Sequence, residues 1–150
     1  MSPEFRQAVE ELHTKFEYLI SAVPYAEGTS LPKQGIYLFS ENGAPFYVGR
    51  SNNIPQRRRQ HTQRGSQTNQ AALATLIARE ETKHPVDYRK GARGRLLADH
   101  VFMDAFRRAK ERVQKMEFRA VAESDQTRQT LLEVYCAITL KTPHNDFNTH

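Results

Sequence analysis

The chain has little that would cross-link it, anchor it in a membrane or hold a zinc ion. Its 150 residues include one cysteine and no tryptophan, so an internal disulfide is excluded. No apolar run approaches the ~20 residues needed to span a bilayer, and the N-terminal residues lack the apolar stretch of a signal peptide. The histidines show no zinc-ligand spacing. We therefore expect a cytoplasmic protein with no membrane partner, and we expect Cys136 to lie in its core.

Acidic residues are scarce in the middle of the chain. Residues 48–119 carry 17 Lys and Arg against 7 Asp and Glu, whereas residues 1–47 carry 3 against 6. Between Arg50 and Arg64 there are five arginines and no acid. A local excess of this size is expected of a protein that binds a polyanion, although a basic stretch is often only a solvated surface.

Two short apolar runs on either side of residues 41–44 give the clearest local signal. Both runs are rich in aromatic and β-branched residues, and the Asn-Gly pair between them predicts a β-hairpin. Pairing the two strands brings Tyr37 and Tyr47 to neighbouring positions of one small sheet.

A short basic helix is predicted directly after this hairpin. It should begin at Ile54, with Asn53 as its cap and proline tolerated in its first turn. Arg57 and His61 are four residues apart, so they share one face of the helix. The helix has no apolar residue after Ile54, so this polar pair is the candidate to face the sheet.

The remaining pattern predicts an α+β fold. Apolar periodicity indicates helices over residues 4–22, 69–81, 96–114 and 125–140, the last capped by Ser124. Alternation predicts a third strand, which gives a three-stranded sheet of Ile36–Phe39, Phe46–Val48 and Met116–Ala122. The length suits a single domain made of an N-terminal helical arm (1–30), a core (33–62 and 116–148) and a basic helical insertion (63–115).

The motifs of the hairpin resemble those of the GIY-YIG nuclease superfamily. Residues 35–37 read Gly-Ile-Tyr, residues 47–49 read Tyr-Val-Gly, and Arg57 follows eight positions after Gly49. The Arg-x-x-x-His spacing that ends at His61 is similar to that of the restriction-enzyme-like branch. The resemblance covers about residues 33–62 and 116–148, and it implies the small antiparallel sheet, flanked by helices, that the pattern also predicts.

The resemblance implies a metal-dependent DNA endonuclease. Glu133 lies in a Leu-Glu helix similar to the one that carries the family's metal-binding glutamate, and the implied cofactor is Mg²⁺ or Mn²⁺, because a hard ion binds well through one carboxylate and several waters. Tyr37 would activate or orient water, Tyr47 would support it, and Arg57 and His61 would contact the phosphate. Periodicity alone instead predicts that Glu133 is solvated, on the narrow polar arc of its helix.

The expected partner is DNA, and a second copy of the chain is a further candidate partner. The residues expected to contact the nucleic acid are basic, with one serine at the end of the hairpin: Arg50, Ser51, Arg58, Arg59, Arg64, Arg89, Lys90 and Arg93.

Three points stay open at the level of sequence. The chain can instead be a nucleic-acid-binding module of the same fold without turnover, or a nuclease directed at RNA. The family's late asparagine has two candidates, Asn145 and Asn148, because Asn145 is one residue too close to Pro143.

Overall fold

A computed structural model describes residues 1–145, and it has the α+β architecture that the sequence predicts. Asn148, one of the two asparagine candidates, lies outside the described residues. The elements, in chain order, are α1 (Pro3–Ser21), β1 (Gly35–Glu41), β2 (Ala44–Ser51), α2 (Ile54–Thr62), α3 (Ala72–Thr82), α4 (Ala92–Ala98), α5 (His100–Gln114), β3 (Glu117–Ala122) and α6 (Gln126–Leu140).

The three strands form one antiparallel sheet with β1 in the centre, in the order β2-β1-β3. β1 pairs with both neighbours along most of its length, so all of its residues except the last are buried. The predicted hairpin and its turn at Asn42-Gly43 are confirmed, and both turn residues have the positive φ that such a turn needs. The predicted three-stranded antiparallel sheet is therefore correct.

The β1–β2 pairing contains one irregularity. Tyr37 faces Gly49 and Phe39 faces Tyr47, but Ser40 then faces Pro45, so Phe46 is the extra residue of a bulge. A bulge of this kind adds one residue to one strand and increases the local twist. It lies between the hairpin turn and the tyrosines, so their register is set by the regular part of the ladder.

Alternation along β1 divides its side chains between two environments. Ile36 and Leu38 belong to an apolar core that α1 and α6 complete. Tyr37 and Phe39 instead meet Phe118 of β3, with ring centroids 5.4 and 4.9 Å from it. The core residues are Leu12, Phe16, Leu19, Ile36, Leu38, Val48, Leu132 and Cys136.

Only part of the apolar side of α1 is used in this core. Leu12, Phe16 and Leu19 are buried, whereas Phe5 and Val9 near the start of the helix remain exposed. A second copy of the chain as a partner stays a prediction.

Contacts divide the chain into two compact units. Unit 1 comprises Met1–Arg57 and the chain from Met116 onward, and it holds the sheet, α1 and α6. Unit 2 comprises Arg58–Lys115 and holds α3, α4 and α5. Within unit 2, α5 packs on α3 through an apolar face that includes Phe102 and Phe106.

Lys110 is a buried cation in unit 2. Its ammonium group donates to the carbonyl oxygens of Arg64 at 2.6 Å and Ser66 at 3.0 Å. It also lies 4.7 Å from the centroid of the Phe106 ring. Burial lowers its pKa, and the two carbonyls and the ring offset part of the cost of removing the charge from water.

The predicted long helix from residue 96 is interrupted. α4 ends at Ala98, and Asp99 has an extended backbone and caps α5 by accepting a hydrogen bond from the amide of Phe102 at 3.1 Å. The same carboxylate accepts from His84 at 2.8 Å. The prediction was wrong here because an aspartate in a helical pattern looks the same whether it is exposed or capping.

The start of α6 differs from the prediction by one residue. Asp125, and not Ser124, is the N-cap, and its carboxylate accepts from the amide of Arg128 at 2.8 Å. Either residue type makes a good cap, so the sequence alone did not separate them.

Candidate active site

Tyr37 is closely packed in the centre of the sheet. Its ring stacks on Phe118 and lies directly over Gly49 on the neighbouring strand. A Cβ atom built on Gly49 would overlap the phenol ring and its hydroxyl oxygen. The glycine of the Tyr-Val-Gly triplet is therefore required by the tyrosine of the Gly-Ile-Tyr triplet.

The first glycine of the motif is required for a similar reason. Gly35 pairs with Ala122 and has a φ of 154°. A Cβ atom at this position would overlap the carbonyl oxygen of Val121 and lie 2.9 Å from the amide nitrogen of Glu123. Both motif glycines thus permit a close approach that any side chain would prevent.

The hydroxyl group of Tyr37 is hydrogen-bonded to the side chain of Arg57. Burial raises the pKa of Tyr37 well above its ordinary value, the neighbouring Tyr47 adds to the rise, and the Arg57 guanidinium opposes it. The side chain is only 1% exposed. The phenol is thus protonated near neutral pH, which favours orienting a water molecule over removing its proton.

Tyr47 lies beside Tyr37 at the same side of the sheet. Their ring centroids are 6.5 Å apart. Burial raises the pKa of Tyr47, Arg57 lowers it and Glu133 raises it. Both phenols therefore lie within the electrostatic influence of the same arginine and the same glutamate.

Glu133 approaches this group of residues from α6. Its side chain is 19% exposed, and its Oε2 atom lies 3.4 Å from Nε of Arg50 at the end of β2. Burial raises the pKa of Glu133 and Arg50 opposes the rise. A half-buried carboxylate beside two phenols is a different environment from the solvated arc that periodicity suggests.

A second contact joins α6 to the end of the hairpin. The buried side chain of Gln129 donates to Oδ1 of Asn52 at 3.1 Å and to the carbonyl oxygen of Glu123 at 2.7 Å. Because Gln129 lies one turn before Glu133 in α6, these bonds help to fix the glutamate relative to β2.

The donor set suits a hard divalent cation bound through one carboxylate. Within residues 1–145, no group of three or more His, Cys, Asp and Glu side chains is arranged to hold a metal. Mg²⁺ commonly binds proteins through one or two carboxylates, with waters and substrate phosphates as its other ligands. A cation at Glu133 would also relieve the cost of ionising a partly buried carboxylate. The residues present therefore fit Mg²⁺ or Mn²⁺.

Helix α2 carries Arg57 and His61 as expected. Asn53 caps the helix, with its side-chain oxygen accepting from the amide of Gln56 at 3.2 Å. Arg57 is the last residue of unit 1, and His61 belongs to unit 2, where it is completely buried. The convergence observed at the tyrosines thus involves Tyr37, Tyr47, Arg57 and Glu133 of unit 1.

The residues predicted to contact nucleic acid are distributed over both units. Arg50 and Ser51 end β2 in unit 1. In unit 2, Arg58 is half-buried, while the other basic residues are exposed: Arg59, Arg64, Arg89, Lys90 and Arg93.

The exposed basic loop of unit 2 has internal partners. Arg89 forms a two-pronged ion pair with Asp87, with Nη2 to Oδ2 at 2.8 Å and Nε to Oδ1 at 3.0 Å. Arg95 reaches the same carboxylate at 3.5 Å. Hydrogen bonds from Arg89 lower the pKa of Asp87. Arg89, which is expected to contact a phosphate, is therefore already paired with an acid of its own loop.

Asn145 is hydrogen-bonded to the hairpin through both polar atoms of its side-chain amide. Its Oδ1 atom accepts from the amide of Val48 at 2.9 Å, and its Nδ2 atom donates to the carbonyl of Val48 at 2.6 Å. The side-chain amide thus acts as a one-residue extension of the sheet at the edge of β2. The sequence signal was the Pro-His-Asn run after α6, and its irregular spacing kept Asn145 out of the predicted site.

Comparisons with known proteins gave no match, so a function is proposed from the geometry of the site. No family model matches the chain, and no match was found among curated proteins or solved structures. In the part of the chain that the structure describes, no helix has both the length and the hydropathy needed to cross a membrane.

Proposed function

We propose that the protein is a metal-dependent DNA endonuclease of the GIY-YIG type. The observation that supports this proposal best is the convergence in unit 1 of two tyrosines, an arginine and a half-buried glutamate. They come from β1, β2, α2 and α6, so four separate elements deliver them to one place. Core packing alone does not require an arginine hydrogen-bonded to a buried phenol.

Each residue then has a chemical task in the hydrolysis of a phosphodiester. Arg57 holds phosphate oxygens and meets the charge that develops in the transition state. The Tyr37 hydroxyl orients the attacking water. Tyr47, whose ring lies beside that of Tyr37, has a supporting hydrogen-bonding role. A divalent cation bound at Glu133 would stabilise the leaving oxygen. The role of His61 as a phosphate or proton partner stays a prediction from the sequence, since this residue is completely buried in unit 2.

A binding module without turnover is the second candidate, and two observations favour it. The side chain of Tyr37 is only 1% exposed, and the carboxylate of Glu133 is ion-paired with Arg50. In such a module the same residues would be structural, and nucleic acid would bind without being cut.

Substituting Glu133 separates these two candidates. Glu133→Gln should abolish cleavage of plasmid DNA with Mg²⁺, because the amide is a poor ligand for a hard cation, and should leave DNA binding in EDTA unchanged. Glu10→Gln, at an exposed position of α1, is the matched control and should cut like the parent protein. A parent protein that binds DNA but does not cut it supports the binding module, and cleavage of RNA alone supports an RNA-directed nuclease. Retained Mg²⁺-dependent cleavage by Glu133→Gln would falsify the role of Glu133.

A further inference from the structure

We infer that Arg50 is an exchangeable counter-ion of Glu133, which nucleic acid draws away so that the carboxylate can take a divalent cation. This inference rests on the proposed function, because it assigns an order of binding to the same site. It gives Arg50 a regulatory role, because nucleic acid that attracts Arg50 makes the binding of the metal stronger.

The ion pair has one partner that can move and one that is held. The Arg50 side chain is 43% exposed and Glu133 is 19% exposed. Glu133 lies in the middle of α6, between the buried residues Leu132 and Cys136. Arg50 lies at the exposed end of β2 on a long, flexible side chain. The guanidinium is therefore the partner that leaves when the pair separates.

Arg50 also lines a groove large enough for another anion. The groove has a volume of about 380 Å³. Its other lining residues, all from the first half of α6, are Gln126, Thr127, Thr130 and Leu131. A DNA phosphate in this groove would meet the guanidinium beside hydroxyl and amide groups. Arginine can bind a phosphate through two parallel hydrogen bonds, whereas Nε of Arg50 lies 3.4 Å from the Glu133 carboxylate.

Arg50 and a divalent cation compete because the site offers one carboxylate. While the guanidinium is paired with Glu133, a metal must displace it or accept its repulsion. A phosphate that attracts Arg50 removes that competition. By linkage, metal must then strengthen DNA binding by the same factor by which DNA strengthens metal binding.

The competition is tested first without DNA. Mn²⁺ binding is measured by isothermal titration calorimetry for the parent protein, Arg50→Ala and Glu133→Gln, the last to identify binding elsewhere. Arg6→Ala removes an equal charge from an exposed position of the same unit and is the matched control. Arg50→Ala should bind Mn²⁺ at Glu133 about fivefold tighter than the parent protein or more, and Arg6→Ala should not.

The second arm repeats the titrations with a phosphorothioate-protected duplex, with binding of Mn²⁺ to the duplex alone subtracted. The parent protein should gain more metal affinity from DNA than Arg50→Ala does, and the difference isolates the contribution of Arg50. Equal Mn²⁺ affinities of Arg50→Ala and Arg6→Ala, or equal gains with DNA, overturn the counter-ion role alone. Parent-like Mn²⁺ binding by Glu133→Gln instead overturns the metal site, and with it the proposed function.

Discussion

At the scale of single residues, Arg57 differs from the two arginines that follow it. Its guanidinium is hydrogen-bonded to the Tyr37 hydroxyl, and its charge also acts on Tyr47. Consecutive residues of a helix point about 100° apart, so Arg58 and Arg59 cannot occupy the same place. Arg57 is thus the arginine of α2 that would act on the phosphate under the proposed function.

We predict that Arg57→Ala lowers the single-turnover cleavage rate at saturating DNA by ~10²–10³-fold, as loss of a transition-state donor typically does. Arg57→Lys should restore only part of the rate, because lysine lacks the planar fork of arginine. Arg58→Ala and Arg59→Ala are the controls, and they should mainly weaken binding. Equal, modest losses at all three positions would reduce α2 to a basic surface.

Gly49 supports a second prediction at this scale. Replacing it with alanine places a methyl group against the Tyr37 ring and its hydroxyl oxygen, so the ring must move from its present position beside Arg57. Overpacking of this kind costs about 1–3 kcal/mol, which thermal or denaturant unfolding will detect, and cleavage should fall as well. Gly65→Ala is the control, because nothing lies within 4 Å of a Cβ atom there. Parent-like stability and activity of Gly49→Ala would show that the ring does not depend on this glycine.

At the scale of elements, the edge of β2 is closed by a side chain. Asn145 bonds both polar backbone groups of Val48, a residue that is completely buried. Unpaired backbone groups at such an edge are costly when water cannot reach them. Asn145 therefore links the chain after α6 to the strand that carries Tyr47.

We predict that Asn145→Ala destabilises the protein by about 1–3 kcal/mol, the usual cost of leaving a buried polar group unpaired. Denaturant unfolding measures this change. Hydrogen exchange at the Val48 amide should become roughly tenfold faster or more. Asn145→Asp keeps the acceptor and loses the donor, so it should protect that amide better than alanine does. Unchanged exchange in Asn145→Ala would mean that β2 does not need this link.

The elements also show how far sequence reasoning reaches. The hairpin was predictable because its signals, two aromatic runs and an Asn-Gly turn, lie next to one another in the chain. The break before α5 was not, because it depends on Asp99 accepting from His84 as well as from the helix. The burial of Glu133 was also out of reach, since it arises from β2 and α6 meeting across some eighty residues.

At the scale of the whole molecule, charge should control binding to nucleic acid. Each phosphate neutralised on duplex DNA contributes a slope of about −0.9 in log K against log salt. About six contacts from the predicted basic residues would give a slope near −5. Asp87 already holds Arg89, so part of this charge is balanced within the protein.

We predict that replacing Arg89, Lys90 and Arg93 together with alanine makes the slope shallower by about two units, and not three. The missing unit reflects the Asp87–Arg89 pair, which keeps Arg89 from contributing a full contact. Fluorescence anisotropy with a duplex at several salt concentrations measures the slope, and Arg6→Ala should leave it unchanged. An unaltered slope in the triple variant would remove this loop from the DNA-binding surface.

The position of β3 in the sheet has a consequence for synthesis of the protein. The hairpin can form as soon as residue 51 leaves the ribosome, but the central strand waits for residues 117–122 to gain its second neighbour. At ~5–20 residues per second, this delay lasts several seconds. Glu133 emerges later still, so Tyr37 and Arg57 are made long before the carboxylate that completes the proposed centre. Under the proposed function, a nascent chain would therefore gain cleavage activity only once α6 has been translated.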